Sequence, residues 1–412
     1  MVILYFIVIK LYAAAITVAA LFNKKAALWV KGRQHWRNKL QSELKPGEKR
    51  ILFHCASLGE FEQGKPLLEE LKVNYPQHKI VLTFFSPSGY EVRKNEPLAD
   101  YVFYLPVDGP LNARHFVELV NPNMAFFVKY EFWHFFIKEL RAKKIPVYFI
   151  SAIFRPTQIY FQPFGKFFFG ILKRVSHFFV QNQPSLELLY RNGITPVSVT
   201  GDTRFDRVFQ NSLHAKSIPE IEQFKGKGKL LVAGSTWAAD EKILQGLIGE
   251  LEEEYKVVIV PHEISPSHIE SLLSKFGSTA VKFSEFSNAS SSKKIMIVDN
   301  IGMLSSIYKH ANVAYVGGGF GSGIHNILEP VVFGIPVFIG PNYKKFREAS
   351  ELVHWKGVFS IRNENELLNR FLEVMNDAPR IEKIKEINNN YISNNKGSTD
   401  LIISFLKINE IS

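Results

Sequence analysis

Cysteine is nearly absent. Cys55 is the only one in 412 residues, which excludes an internal disulfide and fits a reducing compartment. Acidic residues are scarce at the start of the chain: residues 1–50 carry ten Lys or Arg against only Glu43 and Glu48, +8 of the formal net charge of +11. The remainder is close to neutral, so the basic character is local, and no nucleic-acid-binding face spread over the fold is expected. The twelve histidines show no ligand spacing and no Asp-x-Asp-like pair ends an apolar run, so neither a metal nor a cofactor is expected. No short repeat or coiled-coil heptad is present.

Apolar residues, by contrast, are plentiful at 46%, with 35 phenylalanines, enough for the two cores that a chain of this length implies. Residues 2–22, VILYFIVIKLYAAAITVAALF, carry one charge, Lys10. As a helix they span roughly 30 Å, the thickness of a bilayer core. Lys10 is costly there unless it snorkels or the helix lies shallow. Lys24, Lys25, Lys31, Arg33, Arg37 and Lys39 follow, which places the rest of the chain on the cytoplasmic side. A cleaved signal peptide is the competing reading, but no basic stretch precedes the apolar run and no small-residue cleavage site follows it.

After residue 48 short apolar runs alternate with amphipathic segments. Strands are expected at Arg50–Cys55, Ile80–Phe85, Tyr101–Leu105, Met124–Val128, Val147–Ile150, Phe178–Gln181 and Val197–Thr200, with helices such as Pro66–Tyr75 and Phe132–Lys143 between them. Near-continuous apolar strands argue for a parallel sheet covered on both faces. The polar stretch 209–228 reads as a linker. The alternation then restarts with strands at Leu230–Ala233, Lys256–Val260, Ile295–Val298, Val313–Val316, Pro336–Ile339 and Val358–Ile361, and helices at Asp240–Glu253 and Met303–His310. Residues 284–294 (SEFSNASSSKK) read as a surface loop. The expected boundaries are 1–45 for the anchor and basic segment, 46–208 for a first domain, and 229–412, with C-terminal helices, for a second. Such sheets bind ligands at the carboxyl ends of their strands, so an interdomain cleft is expected.

Five strand ends carry candidate chemistry. In His54-Cys55-Ala56-Ser57-Leu58-Gly59-Glu60, Gly59 is expected to permit a sharp turn that presents Glu60, a general base if it faces a hydroxyl and otherwise an acid at a helix start. In Gly317-Gly318-Gly319-Phe320-Gly321-Ser322-Gly323-Ile324-His325-Asn326-Ile327-Leu328-Glu329-Pro330, a strand enters a glycine-rich turn and then a helix, a phosphate-binding arrangement with Glu329 available to ribose hydroxyls. No Walker lysine follows. Ala233-Gly234-Ser235-Thr236 suits a sugar or phosphate contact and equally a helix cap. Glu131, in Lys129-Tyr130-Glu131-Phe132-Trp133, is expected at the same edge as Glu60. Arg204, in Gly201-Asp202-Thr203-Arg204-Phe205-Asp206, either faces a phosphate or pairs with an aspartate.

Residues 160–179 (YFQPFGKFFFGILKRVSHFF) place Phe161, Phe164, Phe167, Phe168 and Phe169 among Lys166, Lys173 and Arg174. Two readings stand. One is a helix packing its aromatics on the first sheet; the other is an exposed membrane-facing patch, because five phenylalanines cover more than one helical face.

Together, Ser57-Leu58-Gly59-Glu60, Tyr104-Leu105-Pro106-Val107-Asp108, Glu131-Phe132-Trp133, Ala233-Gly234-Ser235-Thr236 and Gly323 to Pro330 resemble the 3-deoxy-D-manno-octulosonic acid (Kdo) transferases of lipopolysaccharide synthesis, over nearly the whole chain. The resemblance implies an α/β GT-B fold of two Rossmann-like domains with an N-terminal membrane-anchor helix, at the cytoplasmic face of the inner membrane in contact with its lipids. It implies metal-independent, inverting transfer from CMP-Kdo to a lipid A precursor, with Glu60 as base in an acceptor domain. Ser57, Gly59, Glu131 and Arg204 would line the acceptor side. Ser235, Thr236, His262, Gly302, Ser322, Gly323, His325, Asn326 and Glu329 would hold the donor. There are departures. Pro261-His262-Glu263 stands where the family shows Pro-Arg-His, leaving His262 as the substitute for the arginine on CMP. Gly302-Met303-Leu304 lacks the family's acid, Ser151-Ala152-Ile153 replaces Asn-Ala-Arg with Arg155 nearby, and Arg204 replaces a lysine. The alternatives are a GT-B transferase using a UDP-sugar and a lipid-linked acceptor, and a non-catalytic binding protein, which would need no base at Glu60.

Overall fold

The structure is a computed structural model that describes residues 1–409. Its contacts divide the chain into two compact units, Met1–Arg207 with the C-terminal segment from Lys396, and Val208–Asn395.

The first unit opens with helices α1 (Val2–Ala19), α2 (Lys24–Lys31) and α3 (Trp36–Glu43). Among the described residues α1 is the one helix long and apolar enough to cross a membrane, and none of its residues is buried. Arg33 turns inward: its Nε donates to Leu105 O at 2.9 Å, its Nη2 donates to Phe85 O at 2.7 Å, and its guanidinium lies 4.0 Å from the Trp29 ring. It is therefore a structural cation and not a headgroup contact.

Seven parallel strands follow, β1 (Lys49–Cys55), β2 (His78–Phe84), β3 (Tyr101–Tyr104), β4 (Met124–Val128), β5 (Val147–Ala152), β6 (His177–Val180) and β7 (Val197–Val199), in the order β3-β2-β1-β4-β5-β6-β7. Leu52 joins the core on one face of this sheet, and Ile51, Phe53 and Cys55 join the core on the other. Burial on both faces explains why β1 reads as a continuous apolar run. The helix after it, α4 (Leu58–Asn74), starts eight residues before the expected Pro66 and continues through that proline. Its Gly64 permits close packing, since a Cβ there would stand 2.8 Å from the Phe53 ring.

The second unit repeats the pattern with β8 (Lys229–Thr236), β9 (Tyr255–Pro261), β10 (Ala280–Lys282), β11 (Ile295–Ile297), β12 (Val313–Val316), β13 (Val337–Ile339) and β14 (Val358–Ser360), in the order β10-β11-β9-β8-β12-β13-β14. The edge strand β10 was not expected, because Ala280-Val281-Lys282 is only half-buried at the sheet edge and forms no continuous apolar run.

Two boundaries differ from the sequence expectation. The stretch 209–228 is largely helical, holding the end of Thr203–Leu213 and all of Pro219–Lys225, whose Ile221 and Phe224 are buried. The last helix, Ser398–Ile408, leaves the expected 229–412 domain and buries Ile402, Ile403 and Leu406 in the first unit's core. Asp206 fixes this return by accepting from the Gly397 and Thr399 amides at 2.5 and 2.9 Å.

The phenylalanine segment is also core-facing. Phe161, Phe167, Phe168 and Phe169 pack against the first core, and Phe164, at 72% exposure, is the one large apolar side chain of residues 160–179 left open. The exposed patch therefore reduces to a single ring. The other four are half-buried: Phe154 meets Phe161, the α1 residue Tyr5 meets Phe167, and Phe168 and Phe169 pack on Phe167 and Phe161 in turn.

Candidate active site

In the first unit the carboxyl end of β1 feeds directly into α4, whose first turn holds Leu58, Gly59 and Glu60. Glu60 is half-buried and accepts a hydrogen bond from the Ser57 hydroxyl. The expected turn at Gly59 is absent. Gly59 has ordinary helical backbone, and a Cβ there would meet nothing nearer than Ser57 Oγ at 3.8 Å. What glycine provides is open surface beside Glu60.

Glu131 lies past β4, after Lys129 at φ 63°. Its Oε2 accepts from Trp133 Nε1 at 2.8 Å and stands 3.4 Å from His54 Nε2. His54 is fully buried on β1, with Nδ1 2.9 Å from Thr83 Oγ1 on β2. Burial pushes the Cys55 thiol well up, and Glu60, Glu131 and Glu62 add to the shift. The two expected carboxylates thus follow the carboxyl ends of neighbouring strands, β1 and β4, but only Glu131 is held by an indole and an imidazole. Arg204 takes the structural alternative. Its Nε donates to Asp202 Oδ2 at 2.8 Å, while Gln63 Nε2 donates to Asp202 Oδ1 at 2.6 Å. Burial alone would raise Asp202, and the Arg204 pair outweighs it and holds the carboxyl below its usual range.

In the second unit the glycine run after β12 lies against the end of β8. A Cβ on Gly317 would stand 2.3 Å from Ser235 O, and one on Gly319 would stand 2.6 Å from Gly340 Cα, so both positions require glycine. Asp240, buried at the start of the helix Ala238–Glu250, organises the turn. It accepts from Gly318 N at 2.9 Å, Trp237 N at 3.0 Å and Tyr315 Oη at 2.8 Å. Among the described residues no acceptor meets the amides of Gly319, Phe320 or Ser322, and Lys345 Nζ donates to Ser322 O.

The helix expected after the glycine-rich turn is present but short. Residues 323–326 are irregular, and the helix Leu328–Val331 is a single turn. The amides of the loop and not a helix dipole are therefore the donors on offer. Asn326 Nδ2 donates to Glu329 Oε1 at 3.2 Å, which orients that carboxylate.

Thr236 departs from the expected ligand role. It is buried, and its hydroxyl donates to Glu241 Oε1 at 3.2 Å, while Ser235, at φ 53°, stays partly open. Gly302, at φ 91°, occupies the turn before the helix Leu304–Tyr308 with no atom where a Cβ would stand. His262 and His325 are brought together by Trp237, a residue without a signal in the sequence because its partners lie 25 and 88 positions away. Trp237 Nε1 donates to His325 Nε2 at 2.9 Å, and the His262 ring stacks over both, 4.6 Å from Trp237 and 4.3 Å from His325. Burial and then the neighbouring His262 lower the His325 pKa, and because Nε2 accepts from Trp237 the neutral ring carries its one proton on Nδ1. Among the described residues no three His, Cys, Asp or Glu side chains converge as a metal-ligating group. An open cavity of about 730 Å³ in the same unit, walled by Lys344, Lys356, Arg362, Arg370 and Arg380, shares none of these residues.

The family model for 3-deoxy-D-manno-octulosonic-acid transferase (kdotransferase) matches residues 33–207. A 3-deoxy-D-manno-octulosonic acid transferase of Aquifex aeolicus (strain VF5) is 31% identical over 350 residues, 82% of this chain and 90% of that protein. The chain belongs to the 3-deoxy-D-manno-octulosonic acid transferase family. A second Kdo transferase, from Haemophilus influenzae, is 25% identical over 88% of this chain and 87% of its own. Among solved structures, UDP-GlcNAc 2-epimerase from Neisseria meningitidis bound to UDP-GlcNAc covers 87% of this chain and 99% of its own with a TM-score of 0.61 at 16% identity, a likeness of fold alone. This Kdo transferase is thus a glycosyltransferase of GT-B-like α/β fold. Its Ser57-Leu58-Gly59-Glu60 and Glu131-Phe132-Trp133 runs fall within the residues that the family model matches.

Proposed function

We propose that the enzyme transfers Kdo from CMP-Kdo to a primary hydroxyl of a lipid A precursor, lipid IVA, releasing CMP with inversion and without a metal or cofactor. The observation that carries the mechanism is the half-buried carboxylate of Glu60 at the end of β1, bonded to Ser57 and open on the Gly59 side. Glu60 takes the proton of the acceptor hydroxyl as its oxygen bonds to the anomeric carbon of Kdo. The bond from that carbon to the phosphate oxygen breaks, and CMP departs with the electron pair. Glu131, already engaged by Trp133 and His54, shapes the acceptor side and is not the base.

The leaving phosphate needs donors that are fixed before reaction. The amides of Gly319, Phe320 and Ser322, with Lys345 beside them, fit that need. Glu329, oriented by Asn326, fits a ribose hydroxyl. His325 and His262 form the wall next to them, with Ser235 on the strand end beside the glycine loop and Gly302 in the turn before the helix Leu304–Tyr308. Ser322, Gly323 and Asn326 act through the backbone and through Glu329, and Thr236 acts by supporting the strand end. The helix α1 holds the enzyme on the inner membrane, and the basic residues after it set the catalytic units on the cytoplasmic side.

The test is turnover of CMP-Kdo with a tetraacylated lipid A precursor, against a panel of UDP-sugars and with EDTA added. Kdo transfer that survives EDTA supports the reading. Transfer from a UDP-sugar alone, or loss that Mg²⁺ restores, refutes it.

A further inference from the structure

The apolar helix α1 does more than its composition suggests. Tyr5, Phe6, Ile9, Ala13 and Ile16 share one partly covered stripe, while Ile3, Leu4, Ile7, Val8 and Leu11 stay exposed. The helix meets the Glu131 motif by two independent routes, one through Tyr5 and Phe6 of the covered stripe and one through Tyr12, which is itself 47% exposed.

The first route runs through Asp108. The helix His134–Ala142 begins immediately after Glu131-Phe132-Trp133, and its own N-cap residue, Trp133, makes no side-chain cap. Asp108, 2% exposed, caps it from a distance by accepting from the Phe135 and Phe136 amides at 3.1 and 3.2 Å. Tyr5 Oη donates to the same carboxylate at 2.7 Å, across 103 positions of sequence. Phe6 packs edge-on against Phe135, with ring centroids 6.0 Å apart. The second route is aromatic. Tyr12 stacks on Phe85 at 6.3 Å and Phe85 stacks on Trp133 at 4.9 Å. Trp133 Nε1 then holds Glu131 at 2.8 Å.

The Trp133 ring and the start of the helix that follows the motif are therefore both held by groups that lead back to α1. We infer that α1 is a positioning element for the acceptor side of the site: seated through Tyr5 and Tyr12, it fixes the Glu131 motif, and it couples membrane attachment to the geometry of that motif. This inference rests on the Kdo-transfer reading above. A helix serving only as a tether needs no hydrogen bond to the buried cap of the helix that carries the motif. Buried polar groups are costly unless paired, so the Tyr5–Asp108 contact is a specific registration of α1.

The experiment uses the full-length enzyme on phosphatidylethanolamine–phosphatidylglycerol vesicles, with Tyr5→Phe, the double variant Tyr5→Phe/Tyr12→Leu, and Asp108→Asn. Steady-state constants are measured separately for acceptor and CMP-Kdo, alongside vesicle sedimentation and the thermal transition. The double variant should lose about 10- to 100-fold in kcat/KM for the acceptor, as misplacement of a positioned group by a fraction of an ångström does. Its KM for CMP-Kdo and its vesicle-bound fraction should not change, and Tyr5→Phe and Asp108→Asn should each show part of the loss. Unchanged acceptor kinetics in the double variant, or a loss that parallels release from vesicles, would overturn the inference in favour of a plain tether. Should the double variant lose its thermal transition, Tyr5→Phe, which removes one oxygen atom, decides by the same criteria. A wild-type enzyme inactive with CMP-Kdo would instead sink the transfer reading itself.

Discussion

Replacing Glu60 by glutamine is the most direct probe of the proposed chemistry, because the side chain keeps its size and its hydrogen-bonding reach to Ser57 while losing the ability to take a proton. Glu60 occupies the third position of α4, where a negative charge interacts favourably with the helix N-terminus. Losing that charge should cost about 0.3–1 kcal/mol of stability, a small part of a typical folding free energy. The residue is half-buried and makes its single described hydrogen bond to Ser57, so no network collapses around the amide. Catalysis should fall much further. A positioned general base contributes about 10²- to 10⁴-fold, equivalent to roughly 2.7–5.4 kcal/mol in the barrier. The assay is single-turnover transfer from CMP-Kdo with saturating acceptor, with CMP affinity measured by calorimetry and stability by thermal unfolding. The expected pattern is a rate loss of that size with CMP affinity unchanged, since the proposed phosphate donors belong to the other unit. Turnover within about threefold of wild type in a folded Glu60→Gln protein is too small a change for a general base and would refute the role.

Further outcomes follow from the same geometry. Trp237→Ala and His325→Ala should each weaken CMP binding, because each removes one partner of the hydrogen-bonded pair beneath His262; unchanged calorimetric affinity in both would exclude this wall from the donor site. Burial raises Asp108 to about 6 from its usual 3.8 despite the donors around it, so its ionisation opposes folding. Its stabilising effect is present below about pH 4 and lost as pH rises through 6, up to about 3 kcal/mol. The stability of Asp108→Asn relative to wild type should therefore improve across that window, and a pH-independent difference would contradict the burial argument. Phe167→Ser should lower stability by about 2 kcal/mol or more, since Phe167 packs on His134 and Tyr5. Normal stability combined with weaker vesicle binding would restore the membrane-patch reading.

Much of the proposed donor and acceptor machinery is legible as motif but not as geometry. Glu60, Glu131, His325 and Glu329 stand out as candidates because strand ends followed by small residues or glycines are local signals. Their partners do not. His54 read as the tail of an apolar strand, and its contact with Glu131 exists only because β1 and β4 are neighbours in the sheet, with His54 in register with Phe127. Lys345, whose ammonium reaches the glycine loop, sat in an unremarked basic pair between β13 and the next helix. Thr236 and Arg204 looked like ligands by type, yet a buried hydroxyl turns to Glu241 and a guanidinium turns to Asp202, because burial requires that polar groups be paired internally.

The sequence by itself determined the two doubly wound parallel sheets and the apolar first helix. Periodicity and run length report how many faces of each element are buried, and that is a local property. Only the tertiary structure decided where those elements meet. It returned the last helix to the first unit through Asp206, packed four of five phenylalanines partly against the first core, set Trp237 against two histidines, and tied Tyr5 of α1 to Asp108. Each of these depends on strand order and on pairs up to 193 positions apart, as Asp206 and Thr399 are, and hydrophobic patterning carries no record of which distant partner completes a buried contact.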